Sequence, residues 1–144
     1  MPDNRTRVAV VYGGRSGEHD VSCRSAASIM AHLDRDRYLV TPVRIDRDGV
    51  WRVRPGSGPG AASIPLRSIV EALPVLRGAD VVFPALHGRY GEDGTIQSLL
   101  ELHGLPYVGN GVLASAAGID KDVTKKLLRL AGLRVADGVL LRPD

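Results

Sequence analysis

Two short apolar runs, each closed by a loop that contains glycine, constrain the fold of this chain most strongly. Residues 8–12 are rich in β-branched side chains and end at Gly13, and residues 81–86 end at His87 and Gly88. Continuous apolar runs of this length are typical of strands that are buried on both faces, as in the middle of a parallel sheet. We therefore expect both runs to be central strands.

Amphipathic patterns alternate with these strands. In three segments apolar positions recur at i, i+3, i+4 and i+7, which is one stripe of a helix. The stripes are Ala26, Ile29, Met30 and Leu33; Leu66, Ile69, Val70 and Leu73; and Ile96, Leu99, Leu100 and His103. A fourth helix is predicted over residues 120–131, because Gly132 follows at the position where a helix end favours a left-handed residue.

Residues 39–46 and 49–54 are predicted to be two strands of a hairpin. Asp48-Gly49 is a hairpin signal, and Pro42 indicates that the first strand is not central along its whole length. Residues 55–60 are predicted to form a flexible surface loop inside one domain. The alternation of strands and helices predicts an α/β, Rossmann-like, doubly wound sheet that is mostly parallel, with the hairpin as an insertion.

Length and composition exclude several classes of protein. The chain has 144 residues, of which 44% are hydrophobic and 24% are charged, as in an ordinary globular domain. No apolar run approaches the ~18 residues of a membrane span. The single cysteine, Cys23, cannot form an internal disulfide, and no signal-peptide core precedes the first strand. We expect a soluble cytoplasmic protein with no membrane partner.

The formal net charge of +3 does not by itself indicate a nucleic-acid-binding protein. Arginines scattered along the chain carry most of the positive charge, and acidic residues lie close to many of them. Trp51 and Phe83 are the only Trp and Phe, so the sequence shows no aromatic platform for stacked bases. We expect no nucleic-acid partner, and attraction of small anions explains the mild excess of positive charge.

The loops after the two central strands contain the candidate functional residues. In such sheets ligands bind beyond the carboxyl ends of the strands, where neighbouring connections diverge. If the two strands are neighbours, loop 13–22 and loop 87–94 face a single crevice. Glu18 either complements a helix dipole or receives an ammonium or hydroxyl group from a substrate. His87 either reaches into the crevice or pins its loop through a backbone carbonyl.

Other polar residues of these loops have structural interpretations. Ser16 and Ser22 are predicted to cap the following helix rather than to act as nucleophiles. Glu92 and Asp93 are predicted to bind loop amides and to cap the next helix, with general acid, general base or metal-ligand roles as the alternative. Cys23 is predicted to be a small buried apolar group.

A charge conflict marks a third segment, residues 107–121. Asp120 is placed to cap a helix N-terminus, so Lys121 falls in the first turn, where a cation opposes the helix dipole. A bound phosphate would resolve this conflict, and an exposed, tolerated lysine is the alternative.

Together the three segments resemble the amino-terminal part of the D-alanine–D-alanine ligases. The resemblance covers nearly the whole chain in the right order, although Ile119 stands where family members often have methionine. The shared pattern is Gly13-Gly14-x-Ser16-x-Glu18-His19-x-Val21-Ser22, then His87-Gly88-x-x-Gly91-Glu92-Asp93-Gly94-x-x-Gln97, then Tyr107-Val108-Gly109 through Asp120-Lys121.

The resemblance implies an ATP-grasp ligase that makes D-alanyl-D-alanine for peptidoglycan precursors. In that family ATP phosphorylates the carboxylate of one D-alanine, and the amino group of a second D-alanine attacks the acyl phosphate. Mg²⁺ or Mn²⁺ neutralises the nucleotide phosphates. By carry-over, Glu18 is the catalytic residue that holds the ammonium of the first D-alanine. Gly14, Ser16 and His87 belong to the same substrate site, and Lys121 contacts the nucleotide phosphates.

The resemblance also implies a domain division. Residues 1–118 correspond to a pre-ATP-grasp substrate domain, and residues 119–144 to the start of the ATP-grasp part. Because the family's enzymes are considerably longer, we expect this chain to be an amino-terminal fragment that lacks the nucleotide clamp and the metal ligands and is inactive alone. A homodimer is implied as well, with D-alanine and ATP as its small-molecule partners.

Two alternatives stay open at this point. The first is a non-catalytic Rossmann-like module that binds an anionic small molecule or a partner, since the fold alone does not specify a reaction. The second is an ATP-grasp ligase that joins D-alanine to D-lactate or D-serine, because the residues that select the second substrate are expected beyond Asp144.

Overall fold

A five-stranded sheet with helices on both faces forms the framework of this chain in a computed structural model that describes residues 3–54 and 63–141. The elements are β1 (Thr6–Gly13), α1 (His19–His32), β2 (Tyr38–Ile45), β3 (Trp51–Val53), β4 (Ile64–Leu66), α2 (Ile69–Arg77), β5 (Val81–Pro84), α3 (Thr95–Leu102), α4 (Val112–Ile119) and α5 (Lys121–Leu130). The strand order is β4-β3-β2-β1-β5. The predicted α/β class with a mostly parallel sheet and a hairpin is confirmed.

β1 lies between β2 and β5 and runs parallel to both. Its alternate side chains enter two hydrophobic clusters. Val10 packs with Ala26 of α1 on one face of the sheet, and Val11 packs with Leu76 of α2 and Leu100 of α3 on the other face. The connections that leave β1 and β5 therefore diverge to opposite faces, which places a crevice at the carboxyl ends of these neighbouring strands.

The hairpin is also confirmed. β2 pairs with β3 in antiparallel orientation from Val43 to Ile45, whereas its pairing with β1 begins at Tyr38. Pro42 therefore precedes the section of β2 that has strands on both sides, as its missing N–H requires. The predicted surface loop at residues 55–60 lies outside the described residues. In the described part of the chain, no helix has the length and apolar character needed to cross a membrane.

Two elements differ from the sequence predictions. Leu66 was expected in a helix but ends β4, where it pairs with Trp51, and Ser68 in extended conformation separates it from α2. Backbone pairing with the free edge of β3 thus determines the conformation of Leu66, although its spacing fits the apolar stripe of a helix. α4 was not predicted, because its sequence VLASAAGI consists of small and apolar residues without an amphipathic stripe.

The remaining helix predictions hold, apart from small differences at their ends. Asp120 caps α5 by accepting from the backbone N–H groups of Asp122 and Val123, both at 3.0 Å, and Gly132 has a φ of +77°. Leu33 and His103 are the C-cap residues of α1 and α3 rather than members of these helices.

Candidate functional site

Loops 13–22 and 87–94 meet at the carboxyl edge of the sheet. The Ser16 hydroxyl donates a hydrogen bond to the backbone carbonyl of His87 at 2.8 Å. Gly88 has a φ of +70°, and a Cβ at this position would collide with the carboxylate of Glu18. The two loops therefore share one crevice, and Glu18 and His87 lie on the same side of the molecule.

Glu18 stands at the N-cap of α1, but its side chain makes no capping hydrogen bond. Its backbone N–H donates to Ser16 Oγ at 3.2 Å. Ser16 lies two residues before the N-cap, and α1 has no side-chain capping hydrogen bond, so the prediction that Ser16 caps this helix is wrong. Glu18 is exposed. Within residues 3–54 and 63–141 its carboxylate takes part in no hydrogen bond, so its acceptor oxygens face solvent at the rim of the crevice.

The imidazole of His87 is half-buried and contacts two side chains. Its Nε2 lies 3.0 Å from Ser25 Oγ, and its Nδ1 lies 3.6 Å from Glu92 Oε1. The ring thus binds side chains of α1 and of its own loop. The alternative, a bond from the ring to a backbone carbonyl, is not found within residues 3–54 and 63–141. Sequence reasoning did not select Ser25, although its spacing of seven residues from Glu18 places both on one face of α1.

Ser22 corrects the sequence prediction, because it does not cap α1. It is fully buried, with 0% of its surface exposed. Its hydroxyl accepts from the backbone N–H of Gly13 at 2.7 Å and donates to the carbonyl of Ala85 at 2.6 Å. Ser22 therefore connects the carboxyl ends of β1 and β5 beneath the site.

Gly14 contributes to the site through its missing side chain. Its N–H donates to the carbonyl of Ile45 at 2.8 Å, and its own carbonyl lies 2.7 Å from Nδ1 of His19. Both backbone groups are therefore occupied, while a φ of +94° suits glycine. The residue lines a cavity of about 410 Å³ together with His87.

Glu92 and Asp93 organise the second loop, as predicted. Glu92 Oε2 accepts from the backbone N–H of Gly88 at 2.7 Å, and Asp93 accepts from the backbone N–H groups of Tyr90 and Thr95 at 2.9 and 3.1 Å. Burial raises the pKa of the Asp93 carboxyl, but these hydrogen bonds outweigh it and hold the pKa below its ordinary value. Over the described ranges, no group of His, Cys, Asp and Glu side chains has the arrangement of a metal site.

Two cavities of about 410 Å³ each flank His87. The first lies between the β2–β3 hairpin, α2 and the start of α3, and Arg15, Trp51 and Tyr90 are among its lining residues. The second lies between α1, α3 and α4, and it is lined by Ser25, Glu92 and Ser115 among others. Cavities of this size are typical of small-molecule sites.

Lys121 lies apart from this crevice. It begins α5 and lines a separate cavity of about 120 Å³ with Lys125 and Arg129, and it lines neither of the cavities that contain His87. Ser16 and Glu18 line neither of these cavities, but Ser16 contacts the His87 carbonyl and the Glu18 carboxylate lies beside Gly88. The structure therefore brings Gly14, Ser16, Glu18 and His87 together and places Lys121 at a separate cavity. Cys23 is half-buried rather than buried, and burial raises the pKa of its thiol.

Comparison with known proteins gives the same picture over nearly the whole chain. A family model described as D-ala D-ala ligase N-terminus matches residues 7–110. The chain is 50% identical to the D-alanine--D-alanine ligase of Rhodococcus erythropolis, and the match covers 99% of this chain and 46% of that protein. For the ligase of Mycolicibacterium smegmatis the identity is also 50%, over 99% of this chain and 45% of the relative.

Solved structures of ligases share the fold. The D-alanine-D-alanine ligase of Coxiella burnetii gives a TM-score of 0.76 at 37% identity, covering 93% of this chain and 43% of that one. The VanG D-Ala:D-Ser ligase of Enterococcus faecalis gives 0.78 at 33% identity, over 92% and 44%. The Bacillus anthracis D-alanine--D-Alanine ligase complexed with ATP gives 0.70 at 32% identity, over 92% and 38%. The chain spans about half the length of the curated relatives that it matches. Because sequence, family model and fold agree, this chain belongs to the D-alanine–D-alanine ligase family and corresponds to its amino-terminal part.

Proposed function

We propose that this chain provides the site for the first D-alanine in an ATP-dependent D-alanine–D-alanine ligase of peptidoglycan precursor synthesis. The observation that carries the proposal is the convergence of Glu18 and His87 on one crevice, with Ser16 hydrogen-bonded to the His87 carbonyl at 2.8 Å. VanG is named a D-Ala:D-Ser ligase and shares this fold. A site for D-alanine is the element that both substrate pairs require.

Glu18 is suited to hold an ammonium group. Its carboxylate is exposed at the rim, and the backbone of Glu18 is fixed by Ser16 at the start of α1. An ammonium–carboxylate contact is charge-assisted, and the fixed position orients the bound amino acid. With its ammonium held at Glu18, D-alanine presents its carboxylate for phosphorylation by ATP. The amino group of the second D-alanine then attacks the acyl phosphate, the peptide bond forms and inorganic phosphate leaves.

We further propose that residues 1–118 form the substrate domain and that residues 119–144 begin the ATP-grasp part. Lys121, Lys125 and Arg129 line one small cavity along α5, at the i, i+4 and i+8 spacing that places side chains on one face. This cationic face suits the phosphates of ATP, with Lys121 as the predicted contact. The described residues do not fit a Mg²⁺ or Mn²⁺ site, because no group of their carboxylate, imidazole and thiol side chains is arranged to hold a metal ion. The ATP requirement supports a cytoplasmic location, and we expect a homodimer, as in the family.

A chimeric enzyme tests this function. Residues 1–144 replace the aligned amino-terminal part of the Mycolicibacterium smegmatis ligase, and ADP formation is measured as a function of D-alanine concentration. We expect an active chimera in which Glu18→Gln lowers kcat/KM for D-alanine by roughly 10–100-fold, because a hydrogen bond to a charged group contributes about 1.5–3 kcal/mol.

Glu71→Gln is the matched control. Glu71 is also a carboxylate in the first turn of a helix, where it accepts from the backbone N–H of Arg67 at 2.9 Å. We expect the Glu71→Gln chimera to have the same kcat/KM for D-alanine as the unchanged chimera. A folded chimera without activity would favour the non-catalytic binding module instead, and an unchanged kcat/KM in Glu18→Gln would contradict the proposed role of Glu18.

A further inference from the structure

His87 is held at three atoms by three different residues. Ser16 Oγ donates to its backbone carbonyl at 2.8 Å, Ser25 Oγ lies 3.0 Å from Nε2, and Glu92 Oε1 lies 3.6 Å from Nδ1. The second oxygen of Glu92 is itself fixed, because it accepts from the backbone N–H of Gly88 at 2.7 Å. The ring therefore has a defined orientation before any ligand binds.

The two ring nitrogens face groups of different character. A carboxylate accepts hydrogen bonds and does not donate them, so Glu92 favours a proton on Nδ1. A serine hydroxyl either donates or accepts, so Ser25 adapts to either state of Nε2. The distance of 3.6 Å at Nδ1 exceeds hydrogen-bond length, yet a full negative charge at this range still favours the N–H that points toward it.

We propose that Glu92 and Ser25 are positioning residues for His87. Glu92 fixes the neutral ring in the tautomer with its proton on Nδ1, which leaves Nε2 as the nitrogen that accepts a proton, and Ser25 holds the ring in the orientation that keeps Nδ1 toward Glu92. Free histidine prefers the opposite tautomer, so the local contacts must reverse an intrinsic preference. Ser25 donates to Nε2 when the ring is neutral and accepts from it when the ring is protonated. The hydroxyl thus keeps the ring in place through both states.

The catalytic part of this inference rests on the proposed ligase function, whereas the tautomer does not. His87 and Ser25 both line the cavity between α1, α3 and α4. Nε2 therefore points toward α1 at Ser25, two helical turns from Glu18. In the ligase, a base at Nε2 would take up a proton within this cavity.

Nuclear magnetic resonance of the ¹⁵N-labelled chain tests the tautomer directly. Long-range ¹H–¹⁵N correlations at about pH 9, where a free imidazole is neutral, distinguish a protonated from an unprotonated ring nitrogen. The spectrum of His87→Gln assigns the signals. We expect Nδ1 protonated and Nε2 unprotonated in the unchanged chain. A ring with its proton on Nε2 would overturn the proposal, and this measurement needs no variant of Glu92 or Ser25.

Variants then separate the two positioning residues. Glu92→Gln should shift the ring toward the Nε2–H tautomer, and Ser25→Ala should give a mixture that Ser25→Thr restores. Asp93→Asn is the matched control, because Asp93 binds loop amides without contacting the ring, and the tautomer should stay as in the unchanged chain. An unaltered tautomer in both Glu92→Gln and Ser25→Ala would also overturn the proposal.

The chimeric ligase supplies the catalytic readout. We expect Glu92→Gln and Ser25→Ala to lower kcat by about tenfold with a smaller change in the KM for D-alanine, as for groups that orient another side chain. Ser25→Thr should recover most of kcat. If the Nδ1–H tautomer is observed but the chimera is inactive, the ligase function fails and the positioning stands. If the chimera is active with His87 in the Nε2–H tautomer, the positioning proposal fails and the ligase function stands.

Discussion

The two ends of the β1–β5 strand pair are joined in different ways. At the amino end, Arg7 donates to Asp80 from its backbone N–H at 2.7 Å and from its guanidinium at 2.7 Å, and these side chains are 55% and 42% exposed. At the carboxyl end, the hydroxyl of Ser22 connects Gly13 N–H with the Ala85 carbonyl, and Ser22 is fully buried. One link is charged and faces water, and the other is neutral and enclosed.

This difference explains how the site keeps the carboxylate of Glu18 available. An exposed ion pair contributes little to stability and is screened by salt. A buried hydroxyl that makes both of its hydrogen bonds adds only a modest net amount to the free energy of unfolding. Its removal is costly, however, because it leaves two buried polar groups without partners. Because the hydroxyls of Ser16 and Ser22 link the loops to each other and to the strands, and Glu92 and Asp93 bind amides within their own loop, no framework hydrogen bond uses the carboxylate of Glu18 among the described residues.

The largest loss of unfolding free energy is expected at Gly13, where the backbone of β2 occupies the space that a side chain would need. Gly13 has a φ of +88°, and a Cβ there would collide with the carbonyl oxygen of Ile45, which is part of β2. We expect Gly13→Ala to lower the free energy of unfolding by about 3–5 kcal/mol, because backbone strain and overpacking each cost about 1–3 kcal/mol. Urea denaturation measures the loss.

Gly17→Ala is the control for this substitution. A Cβ on Gly17 would meet no atom within 4 Å, so its free energy of unfolding should change by no more than about 0.5 kcal/mol. Equal losses in the two variants would mean that the carboxyl end of β1 is not tightly packed.

The next effect concerns the neutral link. Ser22→Ala should lower the free energy of unfolding by about 2–3 kcal/mol, because Gly13 N–H and the Ala85 carbonyl stay buried without a partner. Ser28→Ala serves as the control, since Ser28 is an exposed residue of the same helix. If the two variants are equally stable in thermal and urea denaturation, the buried hydroxyl does not join the strands energetically.

A smaller effect is expected at the rim. Ser16 is half-buried, and its hydroxyl makes one bond to the His87 carbonyl and accepts one from Glu18 N–H. Ser16→Ala should reduce the free energy of unfolding by about 1 kcal/mol, since water can replace the hydroxyl. Amide hydrogen exchange in loop 87–94 should accelerate more than in β1. If Ser16→Ala loses as much unfolding free energy as Ser22→Ala, the half-buried hydroxyl of Ser16 and the buried hydroxyl of Ser22 stabilise the fold equally, which would contradict the comparison.

The smallest effect belongs to the charged link. The side-chain hydrogen bond from Arg7 lowers the pKa of Asp80 from 3.8 to about 2. Because the pKa of the folded state is depressed, the carboxylate stabilises the fold fully above 3.8, and this contribution is lost as the pH falls through about 2. The stability difference between the unchanged chain and Asp80→Asn should therefore shrink over this range and in high salt. The loss of unfolding free energy in Ser22→Ala should not change over this pH range, because the Ser22 link carries no charge. If the Ser22→Ala loss changes with pH as much as the Asp80→Asn loss does, the two links do not differ in character.

Sequence patterns were sufficient where a feature is local. The apolar runs of β1 and β5 and the glycines behind them specify strands and tight loops, and Asp120 and Gly132 define the ends of α5 through capping and a left-handed residue. These signals involve neighbouring residues, so no tertiary information is needed. The shared crevice followed from one further condition, that β1 and β5 are neighbours.

Tertiary contacts explain what the sequence did not reveal. Leu66 fits a helical stripe, but β3 offers it a partner strand. The hydroxyls of Ser22 and Ser25 look like ordinary polar residues of α1, and their targets, Ala85 and His87, lie 63 and 62 residues away in sequence. A serine becomes a connection or a ring contact only when the fold brings its partner to it.

Pro42 also affects how readily strands of other molecules can pair with β2. In the described part of the chain, the β2–β3 ladder runs from Val43 to Ile45, and the Arg54 N–H donates to the Pro42 carbonyl at 3.4 Å, so the segment of β2 before Pro42 presents one flank without a strand. Strand flanks without a pairing partner attract strands from other molecules and seed aggregation. A proline at the end of that flank lacks the N–H that an incoming strand would need. The residue that limits the reach of the hairpin thus also discourages unwanted strand addition.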